Sequence, residues 1–149
     1  MDHYNASLFK LYSLDKTTPP PAQVIEQPSL LEINEAIQKI YTHGGFLNLQ
    51  VLKPENFYIS ELNMVALPKL FRLVLLTKDS NPKNGLLEWW DPEKTKFEGV
   101  IRFGDDEWDS RTVSNNILVA ERIFSALYKN NQLLSEILKD FRSEWDPKP

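Results

Sequence analysis

The sequence predicts an α+β domain in which helices pack on one face of an antiparallel meander sheet of four to six strands. Apolar residues recur at helical spacing near residues 33–41, 119–127 and 133–141, whereas between residues 46 and 103 they alternate with polar residues, as they do in strands. Short, turn-rich connections join the alternating segments and favour antiparallel neighbours. The chain has 149 residues, so we expect one domain over residues 1–149.

The chain is predicted to begin with a strand over residues 7–14, in which Phe9 and Leu11 share one side. Residues 17–28 follow as a proline-rich connection, with three consecutive prolines that begin at Pro19. Proline has no backbone N–H donor and favours an extended polyproline conformation. We therefore expect this connection to be a spacer on the surface.

The first helix is predicted to begin at a capping box formed by Ser29 and Glu32. Its buried face is marked by apolar residues at helical spacing, namely Ile33, Ala36, Ile37, Ile40 and Tyr41. Gly44 and Gly45 follow, and a glycine at that place can adopt the positive φ that ends a helix. No Gly-Lys-Ser/Thr sequence follows the pair, so we interpret it as a helix cap and not as a phosphate loop.

The central part of the chain is predicted to form the meander. Strands are expected at residues 46–51, 56–64, 70–77, 86–90 and 97–103. Arg72 is placed on the outward side of its strand, and the last two strands are expected to pair as a hairpin around residues 91–94. Helical spacing returns after Asp109 in two apolar stripes, the second of which extends to Trp145.

Composition excludes several classes of chemistry. The chain has no cysteine, so disulfides, thiolate zinc sites, iron–sulfur clusters and cysteine nucleophiles are absent, and we predict no metal and no cofactor. No Gly-x-Ser-x-Gly motif occurs, and His43 is placed in the last turn of the first helix, where it interacts favourably with the helix dipole. The first ten residues lack a basic start followed by an apolar run, and no uncharged apolar stretch of 18 residues occurs, so we expect a cytoplasmic protein without membrane contact.

The acidity of the chain is concentrated in one segment. Between Glu88 and Asp109 there are eight acidic and three basic residues, a local charge of −5, whereas the whole chain carries −4. Three of the four tryptophans lie in this segment. Such a segment repels nucleic acid and attracts a basic partner.

The carboxylates in this segment raise the alternative of a small metal-dependent hydrolase. No Glu-x-Lys motif and no calcium-binding loop occurs, and the nearly consecutive acids from Asp105 to Asp109 point to alternating sides of an extended backbone. We therefore predict no catalytic residues and a protein that is not an enzyme. A regulatory protein-interaction domain remains a further alternative.

Once catalysis is set aside, the carboxylates and tryptophans of this segment indicate a partner-binding surface. Strand alternation turns Glu88 and Trp90 outward if Leu87 and Trp89 point inward. Aromatic side chains anchor interfaces, and surrounding carboxylates steer a cationic partner. We predict an acidic surface formed by Glu88, Trp90, Asp91, Glu98, Asp105, Asp106, Glu107, Trp108 and Asp109. Replacing Asp105, Asp106 and Asp109 by lysine is then expected to weaken binding without changing the melting temperature.

The order of these elements resembles the small immunity proteins of bacterial polymorphic-toxin and contact-dependent growth inhibition systems. The resemblance covers about residues 29–130 and rests on the capped helix closed by Gly-Gly, the meander, and the Gly-Asp-Asp-Glu-Trp segment that begins at Gly104. The C-terminal segment 133–149 and the proline-rich connection depart from the pattern. The resemblance implies a protein that binds and neutralises the C-terminal domain of a cognate toxin in the cytoplasm of the producing cell. Many such toxins are basic nucleases, which an acidic inhibitor surface would suit.

Overall fold

The computed structural model describes residues 8–17, 19–20, 22–53, 55–130, 133 and 135–147. The described elements are β1 (Leu8–Asp15), β2 (Ala22–Glu26), α1 (Leu30–His43), β3 (Gly45–Lys53), β4 (Ile59–Leu67), β5 (Leu70–Thr77), β6 (Leu86–Trp89), β7 (Val100–Phe103), β8 (Asp106–Asp109), α2 (Ile117–Asn130), α3 (Ser135–Leu138) and β9 (Phe141–Arg142). Helices and antiparallel strands occur together, so the α+β class is confirmed. No helix among the described residues is long and apolar enough to cross a membrane.

The main sheet is larger than the predicted four to six strands. Seven antiparallel strands lie in the order β2-β1-β3-β4-β5-β6-β9. One additional strand comes from the proline-rich connection, where Ala22–Glu26 pairs with β1. The other is Phe141–Arg142, which the sequence places at the end of a helix but which pairs with β6. Both strands are short and lie at the edges of the sheet. Strand β2 pairs with β1, which directly precedes it in the chain, whereas β9 pairs with β6, which is distant in the sequence.

The predicted hairpin around residues 91–94 is wrong. Strand β6 pairs with β5 and β9 in the main sheet, while β7 pairs with β8 in a separate two-stranded sheet. The two-residue turn Gly104-Asp105 joins β7 to β8, and Gly104 has φ of 61°. A tight hairpin turn of this kind favours glycine with positive φ, and its twist suits the flanking strands. The acidic residues from Asp106 to Asp109 therefore belong to a strand of the second sheet.

One core cluster contains buried residues of α1, α2 and the main sheet. In-register leucines of five neighbouring strands form a row across one face of the sheet, namely Leu11, Leu49, Leu62, Leu75 and Leu87. The buried face of α1 contains Ile33, Ile37 and Ile40, as the helical spacing predicts, and these residues belong to the same core cluster. Helix α1 contacts β1, β3 and β4, and α2 contacts α1.

The ends of α1 are those that the sequence predicts. The Ser29 side chain accepts a hydrogen bond from the Glu32 backbone, and the Glu32 side chain accepts one from the Ser29 backbone, so the capping box is confirmed. Gly44 caps the C-terminal end with φ of 83°. His43 lies in the last turn, and its Nδ1 is 3.0 Å from Oδ2 of the buried Asp15. These contacts fix the direction in which the chain enters β3.

The opposite face of the main sheet positions the candidate site. Its central row contains Tyr12, Asn48, Asn63, Val74, Glu88 and Arg142 from six neighbouring strands. Arg72 also points to this face, but it is only 5% exposed because Trp108 of β8 covers it. The β7–β8 hairpin thus packs over the part of this face formed by β5 and β6.

Candidate partner-binding cavity

Five of the nine predicted surface residues line one cavity of about 350 Å³. These are Glu88, Trp90, Glu107, Trp108 and Asp109. The remaining lining residues are Thr112, Arg142, Ser143, Glu144, Asp146 and Pro147. We call this the larger cavity. Three segments form it: the end of β6 with the residue that follows, strand β8 with the turn that follows, and the C-terminal segment from β9 onward.

The structure places the other four predicted residues elsewhere. Asp91 lines a smaller cavity of about 240 Å³ on the other side of Trp90. Glu98, Asp105 and Asp106 are exposed and do not line either cavity. The acidic surface is therefore a cavity with a separate group of exposed carboxylates beside it.

Glu88 lines the larger cavity and forms an ion pair with the buried Arg72. The Arg72 guanidinium donates to its carboxylate from Nη2 and lies 3.6 Å from the centre of the Trp108 ring. Nε of Arg72 also donates to Oγ1 of Thr112 at 3.5 Å. Burial lowers the pKa of Arg72, and the nearby Glu88 raises it part of the way back. Glu88 therefore offsets part of the cost of burying the Arg72 charge, and the guanidinium holds the Trp108 ring in place.

Asp109 pairs with Arg111, which lies against Trp90, just as Glu88 pairs with Arg72, which lies against Trp108. Its Oδ1 accepts hydrogen bonds at 3.0 Å from both the backbone N–H and Nε of Arg111, and its Oδ2 accepts one from Nη2 at 2.7 Å. The Arg111 guanidinium lies 5.0 Å from the centre of the Trp90 ring. The hydrogen bonds with Asp109 raise the pKa of Arg111. Two guanidinium groups of the chain thus support the two indole rings of the larger cavity.

The role of Asp109 corrects one expectation from the sequence. Its carboxylate caps the turn Ser110–Thr112 as well as pairing with the buried Arg111. Lysine at this position would remove these contacts and place a second cation beside Arg111. We therefore expect replacement of Asp105, Asp106 and Asp109 together to lower the melting temperature, contrary to the prediction from charge alone.

Four residues of the site have no marked signal in the sequence. Arg72 and Arg111 are solitary bases in apolar or polar segments, and Glu144 and Asp146 lie in the C-terminal segment, outside the acidic stretch. Tertiary contacts identify these residues. Arg72 lies under Trp108, Arg111 lies against Trp90, and the C-terminal segment that carries Glu144 and Asp146 lines the larger cavity. Among the described residues there is no group of three or more histidine or carboxylate side chains that could hold a metal ion.

Comparison with known proteins places the chain in a sequence family. Residues 9–143 match DUF6911, described as a family of unknown function. This chain belongs to that family. The DUF6911 region includes all nine residues of the predicted acidic surface and ends just before Glu144 and Asp146. No curated protein matches the chain.

A solved structure is similar in fold to this DUF6911 chain. It is the crystal structure of a hypothetical protein from Neisseria gonorrhoeae, with a TM-score of 0.64 and 15% sequence identity. The similarity covers 91% of this chain and 96% of the gonococcal chain. At 15% identity the similarity shows a shared fold, that is, a similar arrangement of helices and strands.

Proposed function

We propose that this protein is an immunity-type inhibitor that binds a basic toxin domain through the larger cavity and the exposed carboxylates beside it. One observation carries the proposal. Five carboxylates and two supported indole rings line the same cavity, although they come from three separate segments of the chain. The resemblance to immunity proteins supplies the class of partner, namely the C-terminal domain of a cognate toxin.

The two parts of the acidic surface have different roles in this proposal. The exposed carboxylates of Glu98, Asp105 and Asp106 attract a basic domain and increase the rate of encounter. Trp90 and Trp108 then provide apolar contact area in the cavity, where burial contributes most of the binding free energy. Because Arg72 and Arg111 already restrict both rings, binding loses little side-chain entropy.

Inhibition in this proposal needs no catalysis by the immunity protein. The bound chain covers the active site of the toxin in the cytoplasm of the cell that produces both proteins. A nuclease active site contains lysines and arginines that bind phosphate, and carboxylates of the inhibitor occupy the same cations. The proposal is thus one of occlusion through complementary charge.

The test uses the gene beside the one that encodes this chain. We expect it to encode a large secreted protein, and its C-terminal domain should arrest growth when produced alone in the cytoplasm. Co-production of this chain should restore growth, and the two purified proteins should form a stable complex in size-exclusion chromatography. A neighbouring domain that is not toxic, or a toxic domain that neither binds this chain nor is neutralised by it, would reject the proposed function.

Paired charge reversals locate the interface. The variant Glu107→Lys/Glu144→Lys changes two exposed cavity-lining residues, and we expect it to weaken toxin binding at least about tenfold, mainly through faster dissociation. The control Glu98→Lys/Asp105→Lys makes the same change in net charge outside both cavities and should mainly slow association. Equal affinity losses in the two variants, measured by surface plasmon resonance, would show that net charge acts and the cavity does not.

A further inference from the structure

The two cavities that meet at Trp90 differ in charge. The larger cavity is lined by five carboxylates and by Arg142. The smaller cavity is lined by Asp91 and Asp140 together with three basic residues, Lys94, Lys139 and Arg142. A cation that reaches Trp90 is therefore directed to the larger cavity.

Most carboxylates of the larger cavity already have a partner in the chain. Glu88 and Asp109 form the ion pairs with Arg72 and Arg111, and Glu107 pairs with Arg102 at 3.3 Å. Oδ2 of Asp146 accepts a hydrogen bond from the Ser143 backbone at 2.9 Å. Glu144 differs from them, since it makes no hydrogen bond or ion pair with any part of the chain that the structure describes.

Arg142, the one basic residue among the described residues that line the larger cavity, is engaged with the C-terminal segment. Nη1 of Arg142 donates a hydrogen bond at 2.9 Å to the backbone carbonyl of Pro147. The cavity volume of about 350 Å³ lies within the range of about 300–1,000 Å³ that is typical of small-molecule sites. The cavity therefore has room for a ligand group, and Glu144 provides a carboxylate to pair with it.

The indole walls add a preference for a planar cation. At two tryptophans that line the cavity, the chain places its own guanidinium group against the ring and pairs that group with a carboxylate, once at Arg72 and once at Arg111. Arginine stacks on aromatic rings and pairs with carboxylates through a planar fork, whereas lysine offers a compact and strongly hydrated charge. The same chemistry is available to a group that enters between Trp90, Trp108 and Glu144.

We propose that the larger cavity receives one arginine side chain of the partner protein, with Glu144 as its carboxylate and with Trp90 and Trp108 as its walls. This inference rests on the proposed function, because it names the group of the toxin domain that enters the cavity. The smaller cavity, with its lysines, disfavours the same side chain and so determines on which side of Trp90 the arginine lies.

The experiment is a titration of the full chain with N-acetylarginine amide, a neutral-capped single arginine. Tryptophan fluorescence and the indole N–H signals in NMR report binding, and Trp90→Phe and Trp108→Phe identify the two signals. We expect saturable binding that shifts both signals. N-acetyllysine amide should bind at least about threefold more weakly, and the uncharged N-acetylcitrulline amide at least about tenfold more weakly. Equal binding of the arginine and citrulline compounds would overturn the inference.

Two amide variants on either side of Trp90 provide the matched comparison. Glu144→Gln changes the larger cavity and should raise the dissociation constant of the arginine compound about tenfold. Asp140→Asn removes one carboxylate from the smaller cavity and should change the dissociation constant less than about twofold. An effect of Asp140→Asn that equals or exceeds that of Glu144→Gln would place the arginine elsewhere and refute the assignment.

The two proposals can fail separately. If the toxin domain binds the chain but the arginine compound does not, the cavity assignment fails and the proposed function stands. If the arginine compound binds through Glu144 but no neighbouring toxin domain binds, the proposed function fails and the cavity remains an arginine site.

Discussion

Two arginines, Arg72 and Arg111, determine how the acidic residues around them act. Each is almost fully buried, stacks on a tryptophan and pairs with a carboxylate that the sequence suggests as a partner-binding group. A buried guanidinium must be paired, since an isolated charge in the interior is strongly unfavourable. Glu88 and Asp109 therefore stabilise the walls of the cavity. Each can bind a ligand only through carboxylate lone pairs that its arginine does not use.

Removal of the Glu88 charge should destabilise the fold. We expect Glu88→Gln to lower the free energy of unfolding by about 3 kcal/mol, because Arg72 then stays buried without its carboxylate. Urea denaturation measures the effect. In Arg72→Met/Glu88→Gln both charges are gone, and the loss should be smaller than in the single variant. A double variant that is less stable than Glu88→Gln would contradict this account.

Asp140 provides a pH-dependent prediction. Burial raises its pKa, and Asp91 adds to the rise, while Lys139 and Arg122 oppose it. The raised pKa means that the folded state favours the protonated carboxyl, so stability from this group falls as pH increases from about 3.9, the ordinary value in unfolded chains, through the raised folded value. Asp140→Asn cannot ionise and should be more stable than the wild type at pH 7.

The advantage of Asp140→Asn should disappear near pH 3, where the wild-type carboxyl is protonated in both states. Melting temperatures between pH 3 and pH 7 measure the difference. The control is Asp105→Asn, which removes the same charge from an exposed position. Comparison of the two variants separates the effect of burial from the effect of the lost charge. A wild type that is the more stable protein at pH 7 would show that the electrostatic attraction of Asp140 to Lys139 and Arg122 outweighs its burial.

Among the elements, β1 and β3 depend on a close approach at one glycine. Gly45 has φ of 138°, and a Cβ atom there would lie 2.0 Å from the backbone oxygen of Leu14. The register that pairs Asp15 with Gly45 brings these strands together at the end of α1. The sequence marks this position as part of a helix cap, but the structure gives Gly45 the separate role of admitting β1.

Alanine at Gly45 should therefore be severely destabilising, by about 3–5 kcal/mol, from the combined strain and steric overlap. The control is Gly104→Ala, where φ is 61° and no atom lies within 4 Å of the added Cβ, so only backbone strain of about 1–2 kcal/mol is expected. Chemical denaturation of both variants gives the comparison. Similar losses at the two glycines would mean that the overlap with Leu14 is relieved by a shift of β1.

At the scale of the whole molecule, folding divides the charge of one sequence segment between different surfaces. The segment from Glu88 to Asp109 carries −5 as a linear stretch, but two of its acids pair with buried arginines and others are exposed on the hairpin. The C-terminal segment adds Glu144 and Asp146 to the same cavity. The resulting site combines fixed aromatic walls with a limited number of available carboxylates, which suits recognition of one cation better than a diffuse negative surface does.

The sequence by itself determines the capped helix α1, the buried stripe of α2, most strands of the meander and the clustering of acids and tryptophans. These features depend on local periodicity and on capping contacts between residues three or four apart. Tertiary structure alone decides that β9 joins the sheet beside β6 and that Arg72 lies beneath Trp108. Those outcomes depend on contacts between distant segments, because edge pairing and the burial of a charge are set by the neighbour that folding supplies.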